Sequence, residues 1–303
     1  MLFSRKGPGW WLLFLAICPG LLGACGEGSA AHTVGVGQAI KVVATENFYG
    51  DLASQLGGKY VSVTSILSDP NVDPHEYQSN TNTAIKVSQA DLVIENGAGY
   101  DDWMDKILSS APNSSRLLLK GYDTATTHLP ENEHVWYSFD NIATIAQAIT
   151  ADYKRLDPAD ATAFEQNLQT LKQSLQPLQQ KIAEIRAKYQ GTQVGLTETI
   201  YLYQAQPEGL KVLTPFAFEK AIAEGNDPPA DTVIAATNQI TSHQIKVLIY
   251  NEQTITPVTT NLENLAKAKN IPVVPVSETM PPGQTYQTWM MDQLITLQRA
   301  LGG

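Results

Sequence analysis

Between Asp157 and Tyr189 the chain carries no turn signal except Pro177, while Leu168, Leu171, Leu175, Leu178, Ile182 and Ile185 recur at helical spacing. Asp157-Pro158 places a capping residue before a proline suited to the first helical position. The pattern predicts one long helix, kinked or interrupted at Pro177, where the ring removes an N–H from the ladder. Such a helix in the middle of 303 residues leaves a part of ordinary domain size on either side. It reads as a connector that fixes two lobes in relation to each other, allowing a small tilt or a local loop change and no wide hinge.

Both flanking parts alternate short apolar runs with helical periodicity. Residues 40–45, 61–67 and 91–94 read as strands, the last running into Glu95-Asn96-Gly97; residues 47–56 and 100–108 read as helices. After the connector, residues 194–197, 247–250 and 271–276 read as strands and 286–301 as a final helix. This alternation predicts an α/β protein of two Rossmann-like lobes, parallel sheets flanked by helices, with binding sites expected at the carboxyl ends of the strands. Thr45-Glu46-x-x-Tyr49 is echoed by Thr197-Glu198-x-x-Tyr201, each at the end of a first strand. The expected boundaries are a signal segment at 1–24, a tether at 25–38, an N-terminal lobe at 39–156, a connecting helix at 157–190 and a C-terminal lobe at 191–303.

Arg5 and Lys6 precede an apolar stretch broken by Pro19 and Gly20, too short to span a bilayer, and then comes Leu22-Gly23-Ala24-Cys25. The last four residues resemble the lipobox of bacterial lipoproteins, which implies that Cys25 is lipidated and Cys18 discarded; an ordinary cleaved export signal is the alternative. The Gly- and Ser-containing stretch that follows reads as a flexible tether. The expected location is extracytoplasmic, anchored by lipid to the bacterial cell membrane. With 20 Lys+Arg against 30 Asp+Glu and no basic cluster, the chain is a poor match for phosphate backbones, so no nucleic-acid partner is expected. Two cysteines exclude a disulfide framework or a cysteine-built zinc site.

Five histidines are present: His32, His75, His128, His134 and His243. His75 and His134 lie in loops at expected strand or helix ends, and neutral imidazoles with carboxylates suit a divalent transition metal. His75-Glu76-Tyr77-Gln78-Ser79 begins like a metalloprotease helix but has serine where the second histidine must stand. No nucleophile elbow, phosphate loop or correctly placed dinucleotide fingerprint occurs. The residues read as a binding protein, not an enzyme. His128 reads as at most an auxiliary metal contact, His243 as a surface residue, Glu76 and Glu46 as supports for neighbouring groups, and Asp101, Asp102 and Asp105 as a solvated first helical turn.

Asp73-Pro74-His75-Glu76-Tyr77, then Ala90-Asp91-Leu92-Val93 with Asn96-Gly97-Ala98-Gly99, then His134-Val135-Trp136, occur in an order that resembles the solute-binding lipoproteins of bacterial zinc and manganese ABC transporters. The likeness runs from about residue 40 to the end. It implies two lobes clasping one metal in the cleft between them: His75 after Asp-Pro, His134 before Val-Trp, Glu198 after the first strand of the second lobe, and Glu278 in Ser277-Glu278-Thr279-Met280, where the family usually has the shorter aspartate. Two neutral imidazoles and two carboxylates would neutralise a +2 ion, lowering the cost of burying it. The transported ligand is then one divalent transition metal ion, Mn2+ or Zn2+. The oxygen-rich set and the short, histidine-poor stretch at 121–133 lean towards manganese, while intrinsic affinity order favours zinc.

The function so implied is high-affinity metal capture and delivery to the membrane permease of an ABC importer, by a monomer. The alternatives are a surface adhesin on the same fold and, further off, a metal-dependent hydrolase. Because imidazole binds metal only when neutral, affinity should weaken as pH falls through roughly 6.5.

Overall fold

The computed structural model describes Gly7, residues 33–35, 37–69, 77 and 80–302. Cys25 and residues 73–76, His75 among them, lie outside the described residues, as does all of the expected signal segment except Gly7.

Four strands, β1 (Ile40–Glu46), β2 (Val61–Leu67), β3 (Leu92–Glu95) and β4 (Leu117–Lys120), form one sheet in the order β2-β1-β3-β4. A second sheet repeats the scheme with β5 (Gln193–Leu196), β6 (Lys211–Val212), β7 (Val247–Asn251) and β8 (Val273–Val276), in the order β6-β5-β7-β8. Every pairing is parallel, with Val42 opposite Leu92 in the first sheet and Leu196 opposite Ile249 in the second. β3 and β7 are buried along their whole length, and β1 everywhere except Lys41, because helices cover both faces of a parallel sheet. In each lobe the chain leaves the first strand to one side and returns on the other, so the topological switch points lie between β1 and β3 and between β5 and β7.

The long helix is Ala161–Tyr189, roughly 43 Å at 1.5 Å per residue; of the two expected outcomes at Pro177, kink or interruption, the helix is not interrupted there. Pro158 opens a separate 3-10 turn, Pro158–Asp160, so the α-helix begins three residues after the proline. The helix buries Phe164, Leu168, Leu171, Leu175, Leu178 and Ile185. It packs on helices Asn47–Gly57 and Phe139–Leu156 of the first lobe and on Leu202–Glu208 and Tyr286–Ala300 of the second. Val34, within the stretch read as tether, donates its N–H to Leu156 O at 2.9 Å and packs against the core.

One hydrophobic cluster runs through both lobes, taking in Phe48, Trp136 and Tyr137 from the first and Tyr201, Tyr286 and Trp289 from the second. Phe48 stacks on Trp136 with ring centroids 4.7 Å apart. Hydrogen bonds cross the same seam: Tyr137 Oη donates to Ser277 O (2.7 Å) and Tyr286 Oη to Trp136 O (2.6 Å). Asn47 grips the Met280 backbone from both sides, Nδ2 donating to the carbonyl at 2.6 Å and Oδ1 accepting the N–H at 2.9 Å. Among the described residues no helix is long and apolar enough to cross a membrane.

Candidate metal centre

His134, Glu198 and Glu278 converge at the seam: each offers one ligand atom, and these atoms lie within 4.8 Å of one another. All three side chains are essentially inaccessible to solvent. The two carboxylates follow β5 and β8 at their carboxyl ends, Glu198 beside the switch point, and His134 precedes the 3-10 turn Val135–Tyr137.

The histidine tautomer follows from its neighbour. Asn132 Nδ2 donates to Thr199 O (2.8 Å), which turns Asn132 Oδ1 towards His134, where it lies 3.0 Å from both the backbone N and ring Nδ1. A carboxamide oxygen only accepts, so Nδ1 carries the proton and the imidazole lone pair is on Nε2. Nε2 lies 4.0 Å from Glu198 Oε2. Tyr100 and Trp136 set ring edges against the imidazole, supplying an apolar wall. An imidazole with its second nitrogen anchored in this way is the usual arrangement of a metal-ligating histidine.

Glu198 caps the 3-10 turn Thr199–Tyr201, its Oε1 accepting Ile200 N at 3.2 Å and Asn251 Nδ2 at 3.1 Å. Its Oε2 is buried with no hydrogen-bond partner among the described residues. Burial first, then the charges of Glu278 and Glu133, push the Glu198 carboxyl well above the ordinary range. Glu278 is held firmly: its Oε1 accepts from Asn251 Nδ2 (2.8 Å) and Thr254 Oγ1 (3.1 Å), and its Oε2 accepts from Tyr100 Oη (2.9 Å). Gln253 Oε1 accepts the N–H groups of Glu278 (2.6 Å) and Thr279 (2.9 Å), fixing the backbone of this segment. Two buried carboxylates and an imidazole with ligand atoms within 4.8 Å of one another make an oxygen-rich donor set that suits a cation.

Of the residues singled out from sequence, His134, Glu198 and Glu278 thus come together; His75 and Cys25 lie outside the described residues. His128 is exposed, with Nε2 2.8 Å from Tyr122 O, and His243 is an exposed residue at φ 52°. Glu46, the echo of Glu198, is buried at the end of β1 and accepts from Thr45 Oγ1, away from the converging donors. Asp101 departs from the expectation of a solvated turn. It is 2 % exposed, and its carboxylate accepts Asn96 N and Gly97 N, each at 2.7 Å, closing the turn that carries Gly97, Ala98 and Gly99 at positive φ. Orphan N–H groups after β3 needed an acceptor, and burial raises the Asp101 carboxyl while those bonds oppose the rise. Asn132, Asn251 and Tyr100 escaped the sequence reading. Asn251, last residue of a strand at a switch point, carried a positional signal; Tyr100 carried none.

Two parallel α/β lobes on one helical spine, with a buried imidazole and carboxylate set at the seam, define the class. The chain belongs to the family described as zinc-uptake complex component A, periplasmic, whose profile matches residues 42–300. Among similar proteins, the manganese-binding lipoprotein MntA of Bacillus subtilis (strain 168) is 29% identical over 169 residues, 52% of this chain and 53% of that protein. The metal ABC transporter substrate-binding lipoprotein FimA of Streptococcus parasanguinis is 29% identical over 185 residues, 56% of this chain and 57% of that protein. The chain therefore spans about half the length of the curated relatives it matches. Among solved structures, the periplasmic zinc-binding protein TroA of Treponema pallidum superposes with a TM-score of 0.76 at 18% identity, covering 88% of this chain and 100% of that one. That likeness establishes the fold.

Proposed function

We propose that this protein captures one divalent transition metal ion, manganese or zinc, outside the cytoplasm and delivers it to the membrane permease of an ABC importer. The ligands are His75, His134, Glu198 and Glu278, and Cys25 carries the lipid that keeps the monomeric protein at the membrane. The observation that carries the reading is Glu198 Oε2, buried without a hydrogen-bond partner among the described residues and 4.0 Å from His134 Nε2. A buried anionic oxygen left bare costs stability unless something positive fills the place beside it. Relatives named for manganese binding and for metal ABC transport support the same ion class and the same importer.

Binding, not turnover, is the task of such a site. The ion's place at the seam links both lobes, so loading stabilises their closed arrangement and lets a permease distinguish loaded from empty protein. Neither the adhesin nor the hydrolase alternative is favoured by any side-chain arrangement described above.

The thermal midpoint of the metal-stripped protein, with and without added Mn2+ or Zn2+, tests the reading. At an ion concentration 100 times the dissociation constant, binding adds about 2.7 kcal/mol, a rise of roughly 4–5 °C for a chain of this size. The rise should vanish in Glu198→Ala and in His75→Ala. No shift with either ion removes metal capture as the function.

A further inference from the structure

We propose that Tyr203, on a helix of the second lobe, is a positioning residue that clasps the turn leading into His134 and so holds the imidazole opposite Glu198. The inference rests on the reading of His134 and Glu198 as metal ligands, and it concerns what keeps the two together.

His134 follows a tight turn. Leu129 and Asn132 form an antiparallel bridge around Pro130-Glu131. Proline suits the first corner of such a turn, but Glu131 occupies the second at φ 50°, a conformation that favours glycine. A strained corner persists only where its surroundings hold it. Here the second lobe does so from two sides. Tyr203, 5 % exposed in the helix Leu202–Glu208, lays its hydroxyl across both ends of the turn. Its Oη accepts Leu129 N at 3.0 Å and donates to Asn132 O at 3.1 Å. On the outer side, Lys220 of the helix Phe216–Ala223 forms an ion pair with Glu131 Oε1 at 2.5 Å.

Asn132 passes this hold on to the imidazole. Its Nδ2 donates to Thr199 O at 2.8 Å, and its Oδ1 lies 3.0 Å from both the backbone N and Nδ1 of His134. The Tyr203 hydroxyl therefore fixes the carbonyl of the residue whose amide sets the histidine tautomer. The first lobe grips the next residue, where Asn96 Nδ2 donates to Glu133 O at 3.0 Å. Leu129, Glu131 and Asn132 each bond to the second lobe, so His134 belongs to the first lobe by sequence and is tied to the second by attachment. Glu198 caps the 3-10 turn Thr199–Tyr201, which runs directly into the helix that carries Tyr203. Carboxylate and imidazole are thus both referred to one short helical element, the carboxylate at its start and the imidazole through Tyr203 and Asn132.

The experiment compares the full chain with its Tyr203→Phe variant, which keeps the ring and loses both bonds. Zn2+ dissociation constants come from competition with a chromophoric chelator, and release rates from rapid mixing with excess chelator. The His134 tautomer is read in the metal-free protein from the NMR shifts of its ring nitrogens, assigned with His134→Gln. Tyr203→Phe should weaken zinc by about 10–100-fold, as loss of an outer-shell bond does, chiefly through faster release. It should also show both imidazole tautomers where the parent shows one. Tyr153→Phe is the control: its buried hydroxyl donates to Ala53 O at 3.0 Å within the first lobe, so it should lower the thermal midpoint similarly and leave zinc affinity unchanged. If Tyr203→Phe fails to fold, Lys220→Met, which frees Glu131 from outside, carries the test with a weakening of about 2–5-fold. An unchanged dissociation constant or a single unchanged tautomer in the folded variant overturns the role of Tyr203 while leaving metal capture standing. A parent protein that binds neither Zn2+ nor Mn2+ overturns both.

Discussion

Replacing Glu198 by glutamine should make the empty protein more stable and the metal-treated protein less so. At a separation of 4.8 Å or less, two ionised carboxylates repel by about 3.5 kcal/mol at an effective dielectric constant near 20. Glutamine removes that repulsion and keeps the Oε1 bonds to Ile200 N and Asn251 Nδ2. Its amide NH2 replaces the oxygen that lacks a partner and costs about 1–3 kcal/mol if it finds none. With both carboxylates ionised at pH 8 the net gain is roughly 0.5–2.5 kcal/mol, or about 1–4 °C in thermal midpoint for a chain of this size. Its sign with pH follows from the raised carboxyl of Glu198. Between the ordinary carboxylate value and the raised one, the folded parent holds a proton that the unfolded chain has lost, so parent stability rises as pH falls. The advantage of the variant should therefore shrink towards pH 5. Thermal unfolding in a chelator at pH 8 and pH 5, repeated with Zn2+ or Mn2+, reads all of this. An empty variant less stable than the parent at pH 8, or one that keeps the full metal-induced rise, would refute the reasoning.

A second buried acid lies away from the site. Burial lifts Glu208 to about 8 despite the bond from Tyr201 Oη at 2.9 Å, so the parent should lose about 3 kcal/mol between pH 5 and pH 8; Glu208→Gln should flatten that slope in denaturant titrations. Metal affinity measured by calorimetry should weaken as pH falls through roughly 6.5, as imidazole protonation competes with the ion, and a flat profile would contradict histidine ligation. Phe164→Ala, which removes a fully buried ring from the long helix, should cost about 3–5 kcal/mol by chemical denaturation and leave the zinc-to-manganese ratio unmoved. Asp101→Ala strands the Asn96 and Gly97 N–H groups and should lower stability by about 1–3 kcal/mol per unpaired donor, read as a drop in thermal midpoint.

Where strands are rich in Val, Ile and Thr, the sequence was legible almost to the residue: 61–67 coincides with β2, and 40–45 falls one residue short of β1. β4 and the two-residue β6 went unread because short, half-exposed edge strands carry little pattern. Helices Phe216–Ala223, Ala230–Thr241 and Pro257–Ala268 also lay in stretches left unassigned. At the site, local sequence marks His134 and Glu198 as polar residues at element ends, and the family resemblance singles out Glu278. The amides are a different matter. What Asn132 and Asn251 do depends on atoms 67, 53 and 27 residues away, and an asparagine in a loop or at a strand end advertises none of that. Asp101 misled for the same reason: the claim of its N–H donors, Asn96 and Gly97, arises from a glycine-bearing turn whose shape is set after β3 is buried.

The echo between Thr45-Glu46 and Thr197-Glu198 suits an ancestry in which one half was copied, yet the shared cluster means the copies have given up independence. Cut at the helix, the first half would present Phe48, Trp136 and Tyr137 to water, and the second half Tyr201, Tyr286 and Trp289. Either fragment alone should aggregate or stay loosely folded, and the intact chain should melt in a single calorimetric step with no intermediate holding one sheet. An ion bound at the seam is then felt by every residue on both sides of it, and the whole molecule serves as the reporter of one atom.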